Sequence, residues 1–303
     1  MGVFKIEGGH TLKGEITPQG AKNEALQVLC AVLLTDQKVT IHNIPDIQDV
    51  NKLISLLENL GVKIQKVGKG SYSFQADEVN IDYLKSESFH TEGQALRGSI
   101  MVVGPLLTRF GVGYIPKPGG DKIGRRRLDT HFDGFIKLGS HFEYDENNYT
   151  YSVVAEKLHG TYMLLEEASI TGTANIIMAA VLAEGTTTIY NAACEPYVQQ
   201  LCRMLNAMGA DIQGIGSNLI TINGVERLNG CTHTILPDMI EIGSWIGLAA
   251  MTRSEITIKN VGWEHLGIMP TIFQKLGITF EKKNDDIHIP AHTNGYEIQN
   301  YID

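Results

Sequence analysis

Cysteine is scarce in this chain, and the few residues present do not pair up. Cys30, Cys194, Cys202 and Cys231 are the only four in 303 residues, and the step from Cys194 to Cys202 fits no zinc-ligand pattern. Neither a disulfide framework nor a cysteine metal centre is expected, which leaves reduced, mostly buried thiols of a cytosolic protein. Cys194 and Cys202 stand in helix-spaced company with Leu201 and Leu205, so core packing is their default role. Long apolar runs are missing too, and nothing in the sequence is long enough to span a bilayer. Met1 to Glu7 carries no signal-type apolar region, so a cytoplasmic location without membrane attachment is expected. Basic charge is in deficit: 25 lysines and arginines against 34 carboxylates give a net charge of −9, which argues against a general nucleic-acid binder. An anionic ligand would need a local basic patch.

Glycine, by contrast, is abundant. Its 32 residues exceed the usual share of about 7% and imply many short elements joined by tight turns. With 43% hydrophobic and 19% charged residues the chain reads as an ordinary globular protein, long enough for two domains or one large one.

The basic patch is found in one stretch, Pro116-Lys117-Pro118-Gly119-Gly120-Asp121-Lys122-Ile123-Gly124-Arg125-Arg126-Arg127-Leu128-Asp129-Thr130-His131. Its prolines and glycines oppose regular structure and let the segment hinge or let backbone approach a ligand. Its arginines suit phosphates, which they hold with two-pronged geometry. A charge run is otherwise most often a solvated face.

A repeat organises the rest. Thr40-Ile41-His42-Asn43, Thr188-Ile189-Tyr190-Asn191 and Thr257-Ile258-Lys259-Asn260 each read as a strand ending at asparagine. A helix-length segment follows each and ends at Leu60-Gly61, Met208-Gly209 or Leu276-Gly277; Tyr114-Ile115-Pro116 with Leu138-Gly139 makes a fourth copy. The glycine is expected to cap the helix in the left-handed conformation. Each unit also contains a segment apolar on nearly every face: Ala25 to Leu34, Ile100 to Leu107, Ile176 to Ala183 and Ile242 to Met251. A helix of that kind is buried, whereas Val50 to Leu60 mixes faces. The units therefore read β-α-β-α-β-β, an α/β fold with helices inside and sheets outside. Lys22-Asn23, Arg97 and Ser169 to Asn175 stand at the starts of the first three buried helices. If the units surround an axis, those starts converge into an anion site.

Gly20-Ala21-Lys22-Asn23, Leu96-Arg97, the Pro118 to Arg126 loop and Thr171-Gly172-Thr173-Ala174-Asn175 together resemble the enolpyruvyl transferases, in the branch that acts on UDP-N-acetylglucosamine. The resemblance covers the whole chain. It implies an inside-out barrel of six such units in two domains, with the first strand belonging to the second domain. On that pattern residues 21–236 form a complete three-unit domain, and residues 1–20 with 237–303 form part of a second, in which Tyr296 to Ile302 opens a further unit. The implied reaction joins the sugar's 3-hydroxyl to C2 of phosphoenolpyruvate in peptidoglycan synthesis: C3 is protonated, a tetrahedral intermediate forms and phosphate leaves, without metal or organic cofactor. Lys22 matches the lysine that contacts phosphoenolpyruvate, and Asn23 the asparagine that touches the sugar. Arg97 and Arg126 match arginines of the same site. Arg127, Leu128, Asp129 and Thr130, with Glu167, Ala168, Ser169 and Ile170, match positions that hold the uridine diphosphate, and His131 lies just beyond. Asp121 stands where cysteine is usual as proton donor, Arg127 where many members have proline, and Glu167 where some have lysine. The family's candidate general base is an aspartate beyond residue 303, so the 303-residue chain is expected not to turn over and to self-associate through its incomplete second domain. Two other readings are a 5-enolpyruvylshikimate-3-phosphate synthase-like transferase, which usually has Ser or Thr where Asn23 stands, and a non-catalytic sugar-nucleotide-binding repeat protein.

The carboxylate of Asp121 carries a first prediction, since it is a far poorer nucleophile toward an epoxide than a thiolate. The protein should be insensitive to fosfomycin, which alkylates the cysteine of the usual members. Intact-mass spectrometry should find no adduct, and a stoichiometric adduct on Asp121 under mild conditions would contradict the reading.

Overall fold

The computed structural model describes residues 3–116, 127–145, 150–292 and 295–298. The chain divides into two compact units, residues 22–235 and residues 1–21 with 236–303. The helices in chain order are α1 (Lys22–Ala31), α2 (Gln48–Asn59), α3 (Glu87–Ala95), α4 (Val103–Phe110), α5 (Asp129–Lys137), α6 (Ile170–Ala180), α7 (Pro196–Ala207), α8 (Met239–Met251) and α9 (Met269–Lys275).

The 22–235 unit has three sheets among the described residues, each built around one sequence repeat, and the first also takes a strand from the end of the unit. In the first, Val39–His42 lies between Thr232–Thr234, to which it is parallel, and Ser71–Gln75, which pairs in turn with Lys63–Gly68. The second joins Val112–Pro116, Thr150–Val154 and His141–Asp145, all antiparallel. In the third, Thr186–Tyr190 lies between parallel Tyr162–Leu164 and antiparallel Leu219–Asn223, with Asp211–Gln213 outermost. Strand burial alternates: Thr187 and Ile189 are buried, while Thr186 and Tyr190 are exposed. One sheet face therefore meets water and the other covers helices. In α6 every residue from Gly172 to Ala180 is buried, and α4 is buried from Val103 to Leu107. α4 and α5 both pack on α6, and α1 packs on α7.

The helix ends follow the sequence closely. Gly61, Gly139, Gly209 and Gly277 all take left-handed φ, between 81° and 102°. At the first, the Gly61 N–H donates to Glu58 O (2.9 Å) and the Val62 N–H to Leu57 O (3.0 Å). The same pair of bonds recurs at Gly139 with Ser140, Gly209 with Ala210, and Gly277 with Ile278. This is the Schellman arrangement, which satisfies the last carbonyls of each helix. The strand-ending asparagines Asn43, Asn191 and Asn260 are also left-handed, at φ 57°, 61° and 51°.

Some expectations need correction. The Arg97 segment opens as a 3-10 turn over Arg97–Val102 and becomes α-helical only at Val103. Cys194 is exposed, because it lies in the loop before Pro196 opens α7 and not on the helix itself. In the other unit α8 is only half covered: Ile242, Ile246, Ala249 and Ala250 are buried, whereas Met251 is 88% exposed. Its covered face meets Ile256, Ile258, Ile287 and Ile289 of the sheet formed by Lys13–Ile16, Glu255–Ile258, Asp286–Ile289 and Glu281–Lys283. Residues 295–298 carry no strand or helix, and 299–302 lie outside the described residues.

α4 approaches α6 closely at Gly104. A Cβ built there would collide with the backbone oxygen of Asn175. Gly104→Ala should therefore lower stability by about 1–3 kcal/mol, the usual cost of overpacking. Chemical denaturation would measure it, and an unchanged midpoint would show that the two helices can separate freely.

Candidate active site

In the 22–235 unit the starts of α1, of the Arg97–Val102 turn and of α6 meet around a cavity of about 420 Å³. Lys22, Asn23 and Leu26 reach it from α1, Leu96 to Gly98 and Ile100 from the turn, and Thr171 from α6. α2 supplies the opposite side through Gln48, Asp49 and Lys52, and Leu128 closes one edge. The helix starts gather for a local reason: each opens an apolar run that must be buried, so its first turn is the end that faces outward. Helix starts present N–H groups and positive potential, and Lys22, Lys52 and Arg97 add three side-chain cations.

Lys22 is held by Asp49, with Nζ 2.5 Å from Oδ2, both side chains being partly exposed. An incoming anion would compete with Asp49 for this ammonium. The rest of the α1 start is fixed from below: Glu24 is buried, and its Oε1 lies 2.8 Å from His233 Nε2.

A chain of buried polar groups runs behind Thr171. The Asn175 amide nitrogen donates to Ile100 O (2.8 Å), and its Oδ1 accepts from the Gly104 N–H (2.8 Å). The same nitrogen lies 3.0 Å from His131 Nδ1, and His131 Nε2 lies 3.1 Å from Thr171 Oγ1. Burial first, and then the charge of Arg97, press the His131 pKa down from 6.5 to about 3, so the ring is neutral at ordinary pH.

The sequence candidates distribute unevenly. Lys22, Asn23, Arg97 and Leu128 line the cavity. Ser169 is the N-cap of α6, its Oγ accepting from the Gly172 N–H (3.2 Å), with Ile170 beginning the helix beside it. Thr130 packs on this first turn, where a Cβ on Gly172 would meet its side chain. Arg127 is exposed and directed at acidic neighbours: Nε lies 2.6 Å from Asp129 Oδ2 and Nη2 3.3 Å from Glu166 Oε2. Glu167 and Ala168 are exposed and away from the lining. Asp121 and Arg126 lie outside the described residues. Sequence reading missed the α2 contribution, because Gln48, Asp49 and Lys52 sit on the polar face of an ordinary amphipathic helix. Asn175 belongs to the α6 start and to the family motif read from the sequence, but its side-chain role was missed, although a lone asparagine inside that helix was the available signal. Among the described residues, no group of three or more His, Cys, Asp or Glu is placed to hold a metal, and no helix is long and apolar enough to cross a membrane.

Comparison with known proteins converges on one family. Residues 6–301 match the family of EPSP synthase (3-phosphoshikimate 1-carboxyvinyltransferase). The UDP-N-acetylglucosamine 1-carboxyvinyltransferase of Bacteroides thetaiotaomicron is 62% identical over 303 residues, spanning 100% of this chain and 70% of that protein. The protein of the same name from Porphyromonas gingivalis is 59% identical over the same spans. Among solved structures, the enolpyruvyl transferase NikO from Streptomyces tendae superposes with a TM-score of 0.78 at 19% identity, covering 95% of this chain and 68% of its own. That likeness establishes the shared fold.

The neutral His131 makes stability depend on pH. The unfolded chain binds a proton at this residue below about pH 6.5, and the folded protein does so only near pH 3. Its contribution is thus complete above pH 6.5 and lost as pH falls, by about 2 kcal/mol between pH 7 and 5. Urea unfolding at both values should show that much less pH dependence in His131→Gln than in the wild type. Equal dependence in the two proteins would contradict the assignment.

Proposed function

Because this chain belongs to the enolpyruvyl transferase family, alongside the UDP-N-acetylglucosamine 1-carboxyvinyltransferases, we propose that it transfers the enolpyruvyl group of phosphoenolpyruvate to the 3-hydroxyl of UDP-N-acetylglucosamine. The observation that carries the reading is the single cavity into which Lys22, Asn23, Arg97 and two α-helix starts project. Both substrates are polyanions, and such a cavity binds oxyanions before any specific contact is counted.

In this reading Lys22 leaves Asp49 to meet phosphoenolpyruvate, while Arg97 and Arg126 meet the negative charge of the sugar nucleotide. Asn23 holds the acceptor sugar. Leu128 to Thr130 and the Glu167 to Ile170 segment bound the uridine diphosphate, with Arg127 at its rim. Asp121 donates a proton to C3 while the sugar's 3-hydroxyl gives up its proton to a general base and bonds through oxygen to C2. The tetrahedral intermediate then returns a C3 proton to the Asp121 carboxylate and expels phosphate, restoring the double bond. Asp121 must be protonated to start, although Lys122 and Arg125 to Arg127 favour its ionised form. Desolvation by bound substrate and the substrate's own negative charge would oppose those cations. No metal or organic cofactor enters this scheme.

The same reading includes residues 21–236 as a three-unit domain, a cytoplasmic location and a role in cell-wall synthesis. Self-association through residues 237–303 is supported by the exposed apolar side chains of Ile240, Met251, Ile268 and Ile272.

Calorimetry and thermal shift provide the test. UDP-N-acetylglucosamine should bind and raise the melting temperature, and shikimate 3-phosphate should do neither. Arg97→Ala should weaken sugar-nucleotide binding by about 1.5–3 kcal/mol, the scale of a charge-assisted hydrogen bond. A shift with shikimate 3-phosphate alone would move the assignment to the sister reaction.

A further inference from the structure

The polar chain behind Thr171 has a direction, and its surroundings fix it. The Gly104 N–H can only donate and Ile100 O can only accept, so the Asn175 amide has one orientation: Oδ1 toward Gly104 and nitrogen toward Ile100. That nitrogen has no lone pair to offer, so its second hydrogen is donated to His131 Nδ1. A neutral imidazole carries one proton. With Nδ1 accepting, the proton is on Nε2, which donates to Thr171 Oγ1. A hydroxyl that accepts from a buried N–H keeps its own hydrogen for a further acceptor. Thr171 is exposed and lines the cavity shared with Lys22 and Arg97, so that acceptor is to be sought among the ligand's atoms. Asn175 and His131 are both buried, at 0% and 1% exposure, and water does not compete with the chain from behind.

We propose that the Thr171 hydroxyl is a substrate-binding donor, aimed at a phosphoryl or carboxylate oxygen in the cavity, and that His131 and Asn175 are positioning residues that fix its direction. This rests on the cavity being the substrate site of the proposed transferase. Each bond polarises the next in the same sense, so the terminal donor is stronger than an isolated hydroxyl. A charged ring would donate from both nitrogens and confront the Asn175 amide, so only the neutral ring sustains the chain.

The test uses the full-length enzyme and both candidate sources of the oxygen, UDP-N-acetylglucosamine by calorimetric Kd and phosphoenolpyruvate by KM and kcat. Thr171→Val, which keeps the shape and removes the hydroxyl, should weaken one of the two by about tenfold or more, and the ligand affected identifies the oxygen. Thr171→Ser should restore that constant to within about threefold. His131→Leu should weaken the same ligand, yet add little when introduced into the Thr171→Val protein, because the hydroxyl it orients is already gone. A merely structural histidine would cost the same in either background. If Thr171→Val does not fold, Thr171→Ala against Thr171→Ser makes the same comparison. Unchanged Kd and KM on loss of the hydroxyl, in an enzyme that turns over, would overturn the proposal and leave the transferase reading intact. Failure of the wild type to bind either substrate would overturn that reading, and the proposal with it.

Discussion

One buried amide sets most of the geometry on which the cavity depends. Asn175 is enclosed in a mostly apolar helix, and its side chain makes three hydrogen bonds, each to a different segment: the 3-10 turn at Ile100, α4 at Gly104 and α5 at His131. The turn that begins at Arg97, the histidine behind the cavity and the first turn of α6 are thereby placed relative to one side chain. Hydrophobic packing alone would allow α4 and α5 to slide or rotate on α6 at modest cost, since apolar contact is non-directional. A fully satisfied polar group in a dry interior does not permit that, because each lost bond leaves an unpaired buried group.

The cavity's own charges are arranged differently. Lys22 and Asp49 form their pair at partly exposed positions, where water screens the attraction and exchange of partners is inexpensive. The positioning network is thus buried and rigid, whereas the charged groups that would meet the ligand are solvated and replaceable. Arg127 follows the same division: it is exposed and paired with Asp129 and Glu166.

How much of this could be read from the letters depended on the range of the interaction. The four glycine breaks were legible because a Schellman end is decided within six residues. Helix burial was legible for α1, α4 and α6 because an apolar surface on every side has few other solutions. It was less so for α8, whose covering depends on what packs beside it. Lys22, Asn23 and Arg97 could be placed through resemblance and helix-start position together. Asp49 could not, since nothing in an amphipathic helix says which of its polar residues faces a distant turn. His131 and Asn175 are 44 residues apart in sequence, and neither shows alone that they meet. Cys194 was misjudged by a single turn, because the proline that starts α7 comes after it.

The left-handed asparagines at the strand ends extend beyond packing. Asn43, Asn191 and Asn260 share a backbone conformation that most side chains resist, yet the residues around them differ: His42 and Ile44 flank the first, Tyr190 and Ala192 the second, Lys259 and Val261 the third. Two of the side chains are nonetheless used alike: Asn43 donates to Ile235 O and Asn191 to Leu165 O, in each case the carbonyl just past the parallel neighbouring strand. What persists between copies is the short spelling Thr-Ile-x-Asn together with a torsion sign. Three copies thus reverse backbone handedness at the same point, where strand gives way to loop, and in two of them the amide freed by that reversal ties down the end of the strand alongside.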